Sequence, residues 1–351
     1  MHRIKITNNR YIGNDEPCFI VAEVGINHNG DLNSAKKMIG VAKECGVDAV
    51  KFQTFKAEEF VSNPDQTYTY KSQGKLVTES MVEMFKRYEF SEGEWKEIFN
   101  YCKNMNIICF STPQNPSDLD FLLKIVDLPI IKIGSDDLTN LELLKCYASK
   151  NKPMIISSGM AFISEIEDAV ETIREKDNND LVILHCTSSY PSEPEEVNLK
   201  KMLTIRQAFD VIVGFSDHTV GTIAATGAVA LGAKVIEKHF TLDKKLPGPD
   251  HWFSSDPKEL SQLVQAIRYT EKSLGNYIIK PTPKEMEMRK IARRSIVAAR
   301  DIIAGEKITN NMVEFKRPGT GLPPKFLKYI LNKKACKKIK KNQLITFQEV
   351  F

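Results

Sequence analysis

Two histidines stand at the ends of successive apolar, β-branched runs, His218 in SDHTVG and His239 in EKHFTL. Two imidazoles at neighbouring strand ends could share one divalent ion. Two protein ligands leave positions open for water or substrate, as a catalytic metal requires. Either histidine alone could be a hydrogen-bonded barrel residue. As a pair, with Asp250 and His251 in the following Gly/Pro-rich LPGPDHWF (246–253), metal ligation is the favoured reading. Lys51 and Lys132 sit in other apolar runs. A lysine there is either a desolvated Schiff-base nucleophile or a point charge for a phosphate or carboxylate. Ser135, Ser157 and Ser158 beside them favour an anionic, phosphate-bearing substrate. Cys186 and His185 are adjacent, so on a strand they point to opposite faces and form no catalytic pair.

Charged and polar residues recur at the ends of nearly every apolar run. They are Glu23; Lys51 and Gln53; Thr112 and Gln114; Lys132, Ser135, Asp136 and Asp137; Ser157 and Ser158; His185 and Tyr190; Asp217 and His218; Glu237, Lys238 and His239. An unpaired buried charge is costly, so such a series needs a purpose. The runs themselves are FIVAEVG (19–25), AVKFQTF (49–55), IICFSTP (107–113), IIKIGS (130–135), MIISSG (154–159), LVILHC (181–186), VIVGFSD (211–217) and KVIEKHF (234–240). Helical periodicity fills most gaps, as in SAKKMIGVAKECG (34–46) with Gly46 as the stop, and in SEIEDAVETIREK (164–176) with Ser164 as N-cap and Glu167 three residues on. Eight strand–helix units predict an α/β fold, a (β/α)8 TIM barrel whose active site gathers at the C-terminal strand ends. A doubly wound open sheet is the runner-up, but GINHNG (25–30) is not a dinucleotide-binding glycine pattern. The long gap 56–106 predicts an excursion over the C-terminal face, ending in a helix with Met81, Met84 and Phe85.

The pattern changes after PTPKE (281–285), which reads as a linker. Residues 1–280 are expected to form the barrel and 281–351 a small domain of short strands and turns. Charge changes with it. Residues 282–351 carry 17 Lys and Arg against 6 Asp and Glu, a net of +11, while residues 1–281 carry −7, giving +4 in all. The basic KKACKKIKK (333–341) is broken by Ala335, Cys336 and Ile339 and reads as a short amphipathic helix with a solvated face, so nucleic-acid binding is not expected. Composition is that of a folded globular chain, 42% hydrophobic and 27% charged over 351 residues. Seven scattered cysteines without a CxxC pair, a polar N-terminus, and no apolar run of ~18–20 residues predict a reduced, cytoplasmic, soluble protein that no membrane holds.

AEVGINHNGD (22–31), DAVKFQTF (48–55), FSTP (110–113), KIGS (132–135), HCTSSYP (185–191), GFSDHT (214–219), GAKVIEKHFTLDKKLPGPDH (232–251) and KPTPKE…RRSIVAARDI…FKRPGTG (280–321) together resemble the sialic acid synthase family. The resemblance runs through almost the whole chain in order, and the EKHFTLDK…PGPDH segment is specific. It implies a barrel followed by a C-terminal antifreeze-like SAF domain. It also implies condensation of phosphoenolpyruvate with an N-acetylated mannose-type aldose, a domain-swapped homodimer, and a divalent metal, Mn2+ first with Mg2+ or Co2+ as alternatives. By matching motif, His218 and His239 would hold the metal. Lys51, Thr112, Lys132, Ser135, Ser157, Ser158 and Ser216 would hold phosphoenolpyruvate. Glu23, Asp137 and Asp250 would be the catalytic carboxylates, with Glu23 and Asp250 also lining the sugar site beside Gln53 and Tyr190. Arg317 would reach the partner's barrel and touch the sugar's N-acetyl group.

N-Acetylmannosamine, giving N-acetylneuraminate, is the expected aldose. A 2,4-diacetamido-2,4,6-trideoxy aldose, giving N,N′-diacetyllegionaminate, is the alternative, because SDDLTN (135–140) and CTSSYPS (186–192) vary among relatives that use different sugars. An aldose 6-phosphate would demand a further basic site that the sequence does not reveal. A Schiff-base aldolase of the same keto sugars, acting through Lys51 or Lys132, is the more distant rival.

Overall fold

The computed structural model describes residues 3–350 and divides into two compact units, one running through Gly275 and the other starting at Asn276. In the first unit a hairpin of β1 (Arg3–Thr7) and β2 (Arg10–Gly13) precedes the barrel. The barrel strands are β3 (Phe19–Gly25), β4 (Ala49–Thr54), β7 (Ile108–Pro113), β8 (Ile131–Ile133), β9 (Met154–Ser157), β10 (Leu181–Cys186), β11 (Ile212–Asp217) and β12 (Val235–His239). They close in that order, each parallel to the next, with β12 returning to β3. This is the expected TIM barrel, and every sequence run forms its strand. Parallel strands are covered on both sides, which is why residues of β3 and β10 are buried without alternation.

Local sequence sets the connections. Helix Leu32–Cys45 starts where Asp31 accepts hydrogen bonds from the Asn33 and Ser34 amides, and it stops at Gly46, whose φ of 86° is left-handed. The helix expected from Ser164 begins earlier. It runs Ile163–Arg174 with Phe162 at the N-cap, and the Phe162 amide donates to the Glu165 carboxylate. Ser164 therefore lies inside the first turn, because Glu165 reaches back to close the helix start without a capping hydroxyl.

The excursion after β4 contains a hairpin, β5 (Thr67–Ser72) with β6 (Lys75–Ser80), and then helix Met81–Lys86. Met84 packs with Ile26, Phe55 and Tyr88 in a cluster separate from the barrel core. The hairpin is tied to the loop after β12. Gln73 donates to the Lys245 carbonyl at 3.0 Å, and the Gly248 amide donates to Ser72 Oγ at 3.1 Å.

In the second unit, helix Pro283–Ala292 starts at Thr282, so PTPKE is a helix entrance rather than a free linker. Pro283 fits because the first helical turn needs no N–H there. β13 (Ser295–Ala298) pairs antiparallel with β14 (Val313–Lys316), and single bridges join Val297 to Leu344, Ile302 to Ile339 and Ala335 to Val350. Ile296, Ile302, Ile308, Ile330, Ile339 and Ile345 form its core. KKACKKIKK is not helical. Ala335 and Ile339 are its two buried side chains, each fixed by a bridge, and the lysines face outward.

Candidate active site

The C-terminal strand ends assemble a buried charged cluster. Glu23 lies near the end of β3, Lys51 and Gln53 on β4, and Glu237 and His239 on β12. The register sets Glu23 beside Lys51 on one side and His239 on the other. Lys51 Nζ stands 3.2 Å from Glu23 Oε2 and 3.2 Å from Glu237 Oε2, and it donates to Thr112 Oγ1 at 3.3 Å. Both Oε2 atoms are buried, and Lys51 is their charge partner among the described residues. Gln53 Nε2 donates to Glu23 Oε1 at 3.4 Å. Gly25, two residues after Glu23, has a φ of +51°, and a Cβ there would stand 3.2 Å from Glu23 Oε1. Glycine thus lets the chain turn away while the carboxylate stays inside.

The two carboxylates have different proton affinities. Burial pushes Glu23 up to about 7, with Glu237 adding to the rise and Lys51 opposing it. Burial also acts on Glu237, but Lys132 and Lys51 outweigh it and hold that carboxyl at about 2. Two carboxylates around one lysine thus separate into a permanent anion and a group able to exchange a proton near neutrality. Despite its burial, Lys51 is raised by the two carboxylates, whereas burial lowers Lys132.

The histidines come together at the same end. The rings of His218 and His239 are 5.7 Å apart between centroids. Burial holds both neutral, His218 at about 4 and His239 well below its ordinary value. His218 Nδ1 lies 2.8 Å from the Thr187 carbonyl, which fixes that nitrogen as the N–H, and Nε2 lies 3.2 Å from Ser216 Oγ. Ser216 Oγ also donates to Glu237 Oε1 at 3.1 Å. His239 Nδ1 is buried with no hydrogen-bond partner, 3.7 Å from Asp250 Oδ2. Asp250 keeps 22% of its side chain exposed, and burial raises it to about 7. Tyr190 covers the pair, with ring centroids 4.2 Å from His218 and 5.7 Å from His239.

A second group lies on β8 to β10. Lys132 Nζ donates to Ser157 Oγ at 2.7 Å and to the Ile133 carbonyl at 2.8 Å. Ser135 Oγ accepts from the Gly159 amide at 2.9 Å and lies 3.0 Å from Cys186 Sγ. A Cβ on Gly159 would stand 2.7 Å from Ser135 Oγ and 2.8 Å from Cys186 Sγ, so this cradle of small polar groups requires glycine. Lys132 acts electrostatically on Glu237 and on Cys186, which links the two groups.

Three expected residues stand apart. Ser158 donates its hydroxyl to the Leu184 carbonyl at 3.1 Å, so it is spent on a neighbouring strand. Asp137 accepts from Asn140 Nδ2 at 3.3 Å and acts on Tyr147, whereas its neighbour Asp136 acts on Tyr190, together with Asp250 and Glu237. Arg317 is exposed in the second unit, just after β14. Other polar strand ends face out of the barrel. Lys238 Nζ donates to Asp217 Oδ2 at 2.8 Å and to the Thr219 carbonyl, and His185 Nε2 meets the Val197 carbonyl. Glu237 is the residue that sequence reasoning left without a role. Its parity with His239, two positions on along one strand, was the available signal.

The NeuB family pattern matches residues 38–279 and the SAF domain pattern residues 293–350. The N,N′-diacetyllegionaminic acid synthase of Legionella pneumophila is 39% identical over 350 residues, covering 99% of this chain and 98% of its own. The N-acetylneuraminate-9-phosphate synthase of Mus musculus is 36% identical, covering 99% and 96%. The crystal structure of N-acetylneuraminic acid synthetase from Leptospira borgpetersenii serovar Hardjo-bovis in complex with citrate superposes with a TM-score of 0.73 at 36% identity, covering 82% of this chain and 95% of that one. The chain therefore belongs to the NeuB family, an enzyme of the sialic-type acid synthase class whose barrel is followed by a SAF domain.

Proposed function

We propose that the barrel joins phosphoenolpyruvate to the aldehyde carbon of a mannose-type 2-acetamido aldose, takes up one water and releases phosphate. The product is a nine-carbon 2-keto acid of the sialic type. The observation that carries this reading is Lys51 held between two buried carboxylates, Glu23 and Glu237, beside two neutral histidines. The enol double bond supplies the electron pair of the new C–C bond, the aldehyde π pair moves onto its oxygen, which takes up a proton to become a hydroxyl, and C2 becomes electron-poor. Water adds at C2 and loses a proton. The C2–O bond to phosphate then breaks, phosphate leaves with that electron pair, and the C2 hydroxyl gives up its proton as the ketone forms. Glu23, with its raised proton affinity, is placed to take the proton from water, and the constant charge of Glu237 stabilises the electron-poor carbon. Lys51 and Lys132, with Thr112, Ser135, Ser157 and Ser216, hold the phosphate and carboxylate of phosphoenolpyruvate. Gln53, Tyr190 and Asp250 line the aldose.

The histidine pair fits a divalent cation. Both imidazoles are neutral, His218 Nε2 carries the free lone pair, and His239 Nδ1 is a buried orphan. Among the described residues no group of three or more His, Cys, Asp or Glu side chains forms a closed cage. Two histidines as the protein ligands would leave room for substrate on the ion. Mn2+ is the first candidate, with Mg2+ or Co2+ as alternatives, and the bound ion would supply Lewis acidity at the aldehyde oxygen. Arg317 of the partner subunit would complete the sugar site in a domain-swapped homodimer.

Phosphate release from phosphoenolpyruvate, measured against a panel of acetamido aldoses with and without chelator, tests this reading. Release should need both an aldose and the metal, and His218→Ala or His239→Ala should abolish turnover and weaken Mn2+ binding. A Schiff base at Lys51 is disfavoured because Lys51 stays protonated between its carboxylates, and Lys132, whose proton affinity burial lowers, is the lysine through which that rival would have to act. Chelator-resistant turnover of pyruvate, trapped by borohydride, would overturn the synthase reading.

A further inference from the structure

His251 stands in the loop after β12, next to Asp250, and the mechanism does not use it. It is fully buried, as are Thr241 and Ser254. Both ring nitrogens are engaged. Nδ1 lies 2.6 Å from Thr241 Oγ1, and Nε2 lies 3.2 Å from Asn29 Oδ1. Burial lowers the ring to about 4 and keeps it neutral, so one nitrogen donates and the other accepts. Asn29 Oδ1 is an acceptor, so Nε2 carries the proton and Nδ1 takes the Thr241 hydroxyl. With both nitrogens committed, His251 has no lone pair left for a metal. The loop closes tightly over the ring, and a Cβ on Gly248 would stand 2.9 Å from His251 Cδ2.

This clamp ties the loop to two other parts of the barrel. Thr241 comes two residues after His239 at the end of β12, and Asn29 follows β3. A second tie meets Asp250 itself. Its carbonyl accepts from Ser254 Oγ at 2.6 Å, and Ser254 Oγ accepts from Asn27 Nδ2 at 3.0 Å. The Asp250 backbone is thus pinned, whereas its side chain is not. Among the described residues no hydrogen bond reaches the Asp250 carboxylate, and burial alone raises its proton affinity. The place of that carboxylate, 3.7 Å from His239 Nδ1, therefore depends on where the backbone is held.

We propose that His251 is a positioning residue. Through Thr241 and Asn29 it fixes the backbone beside it, and so sets the Asp250 carboxylate against His239 and the aldose without touching substrate. The proposal rests on the synthase reading above, in which Asp250 lines the aldose. A buried loop histidine could also serve folding alone, and the two roles differ in what a substitution moves. Loss of folding reduces the amount of active enzyme and leaves both KM values as they were. A displaced Asp250 weakens the aldose and spares phosphoenolpyruvate, whose lysines lie on β4 and β8.

The test uses the full chain with Mn2+ and whichever of N-acetylmannosamine and 2,4-diacetamido-2,4,6-trideoxymannose gives the faster phosphate release. His251→Ala should raise the aldose KM by about tenfold to a hundredfold, the scale of a displaced supporting group, and change the phosphoenolpyruvate KM by less than about twofold. His251→Gln, which keeps a donor for Asn29, should recover most of that loss. Asn29→Ala opens one end of the clamp with the ring in place and should move the aldose KM in the same direction by less. It carries the test should His251→Ala fail to fold. An unaltered aldose KM in a folded variant, or two KM values that rise together, overturns the proposal. Absence of phosphate release by the wild type with either aldose fails the synthase reading and the positioning role with it. Wild-type release with unmoved variants fails the positioning role alone.

Discussion

Lys51 holds together charges that burial would otherwise expel. Its ammonium stands between Glu23 and Glu237, which are 1% and 5% exposed, and among the described residues neither has another cation within ion-pair distance. Removing one partner of such a group leaves uncompensated buried charge, a loss of roughly 3–5 kcal/mol. Lys51→Met should therefore lower unfolding free energy by about that amount and abolish phosphoenolpyruvate binding, as read by urea titration and calorimetry on one preparation. A variant that kept native stability and bound phosphoenolpyruvate normally would refute the role of Lys51 in both. At this scale the sequence was legible where residue type alone speaks. Lys51, Lys132 and the histidines were visible as polar interruptions of apolar strands. The work of Glu237 was not, because it needs the Ser216–Glu237 register and a closed barrel to bring β12 back beside β3.

Strand parity sorts the polar strand ends into two sets. On β11 and β12, Ser216, Glu237 and His239 face the site, so Asp217 and Lys238 must face the helices. There they pair at 2.8 Å with 2% or less of either side chain exposed. Asp217 Oδ1 also accepts from the Thr219 amide and hydroxyl, and Lys238 holds the Thr219 carbonyl. His218 lies between these two anchors, so the clamp orients the imidazole without touching substrate. Lys238→Met should destabilise the protein by roughly 3–5 kcal/mol, and the Asp217→Asn/Lys238→Met double variant by less than the sum of the single changes. Urea unfolding of the set measures this coupling, and additivity would dissolve the clamp. A helix start proved harder to place from sequence than strand parity. Ser164 looked like a cap, but Glu165 closes that helix start two residues earlier by taking the Phe162 amide.

At the scale of the whole molecule, the +4 net charge is the sum of an acidic barrel half and a basic C-terminal segment. The two compact units and the two matched families follow that division. Arg317 belongs to the basic unit, whereas the histidines, lysines and carboxylates all belong to the barrel unit. If the basic unit of one chain completes the barrel of its partner, the two parts of one active site come from different chains. Subunit mixing reads this directly. His218→Ala and Arg317→Ala should each be severely impaired alone. In a mixed dimer of the two, one site combines both defects and the other carries neither. Random reassociation in equal amounts should restore about one quarter of wild-type turnover, since half the dimers are mixed and each has one intact site. Sites completed within a single chain would give no recovery, because every site in the mixture would keep one defect. Electrostatic attraction between −7 and +11 halves further predicts that dimer dissociation, followed by sedimentation, strengthens with added salt, as screening requires.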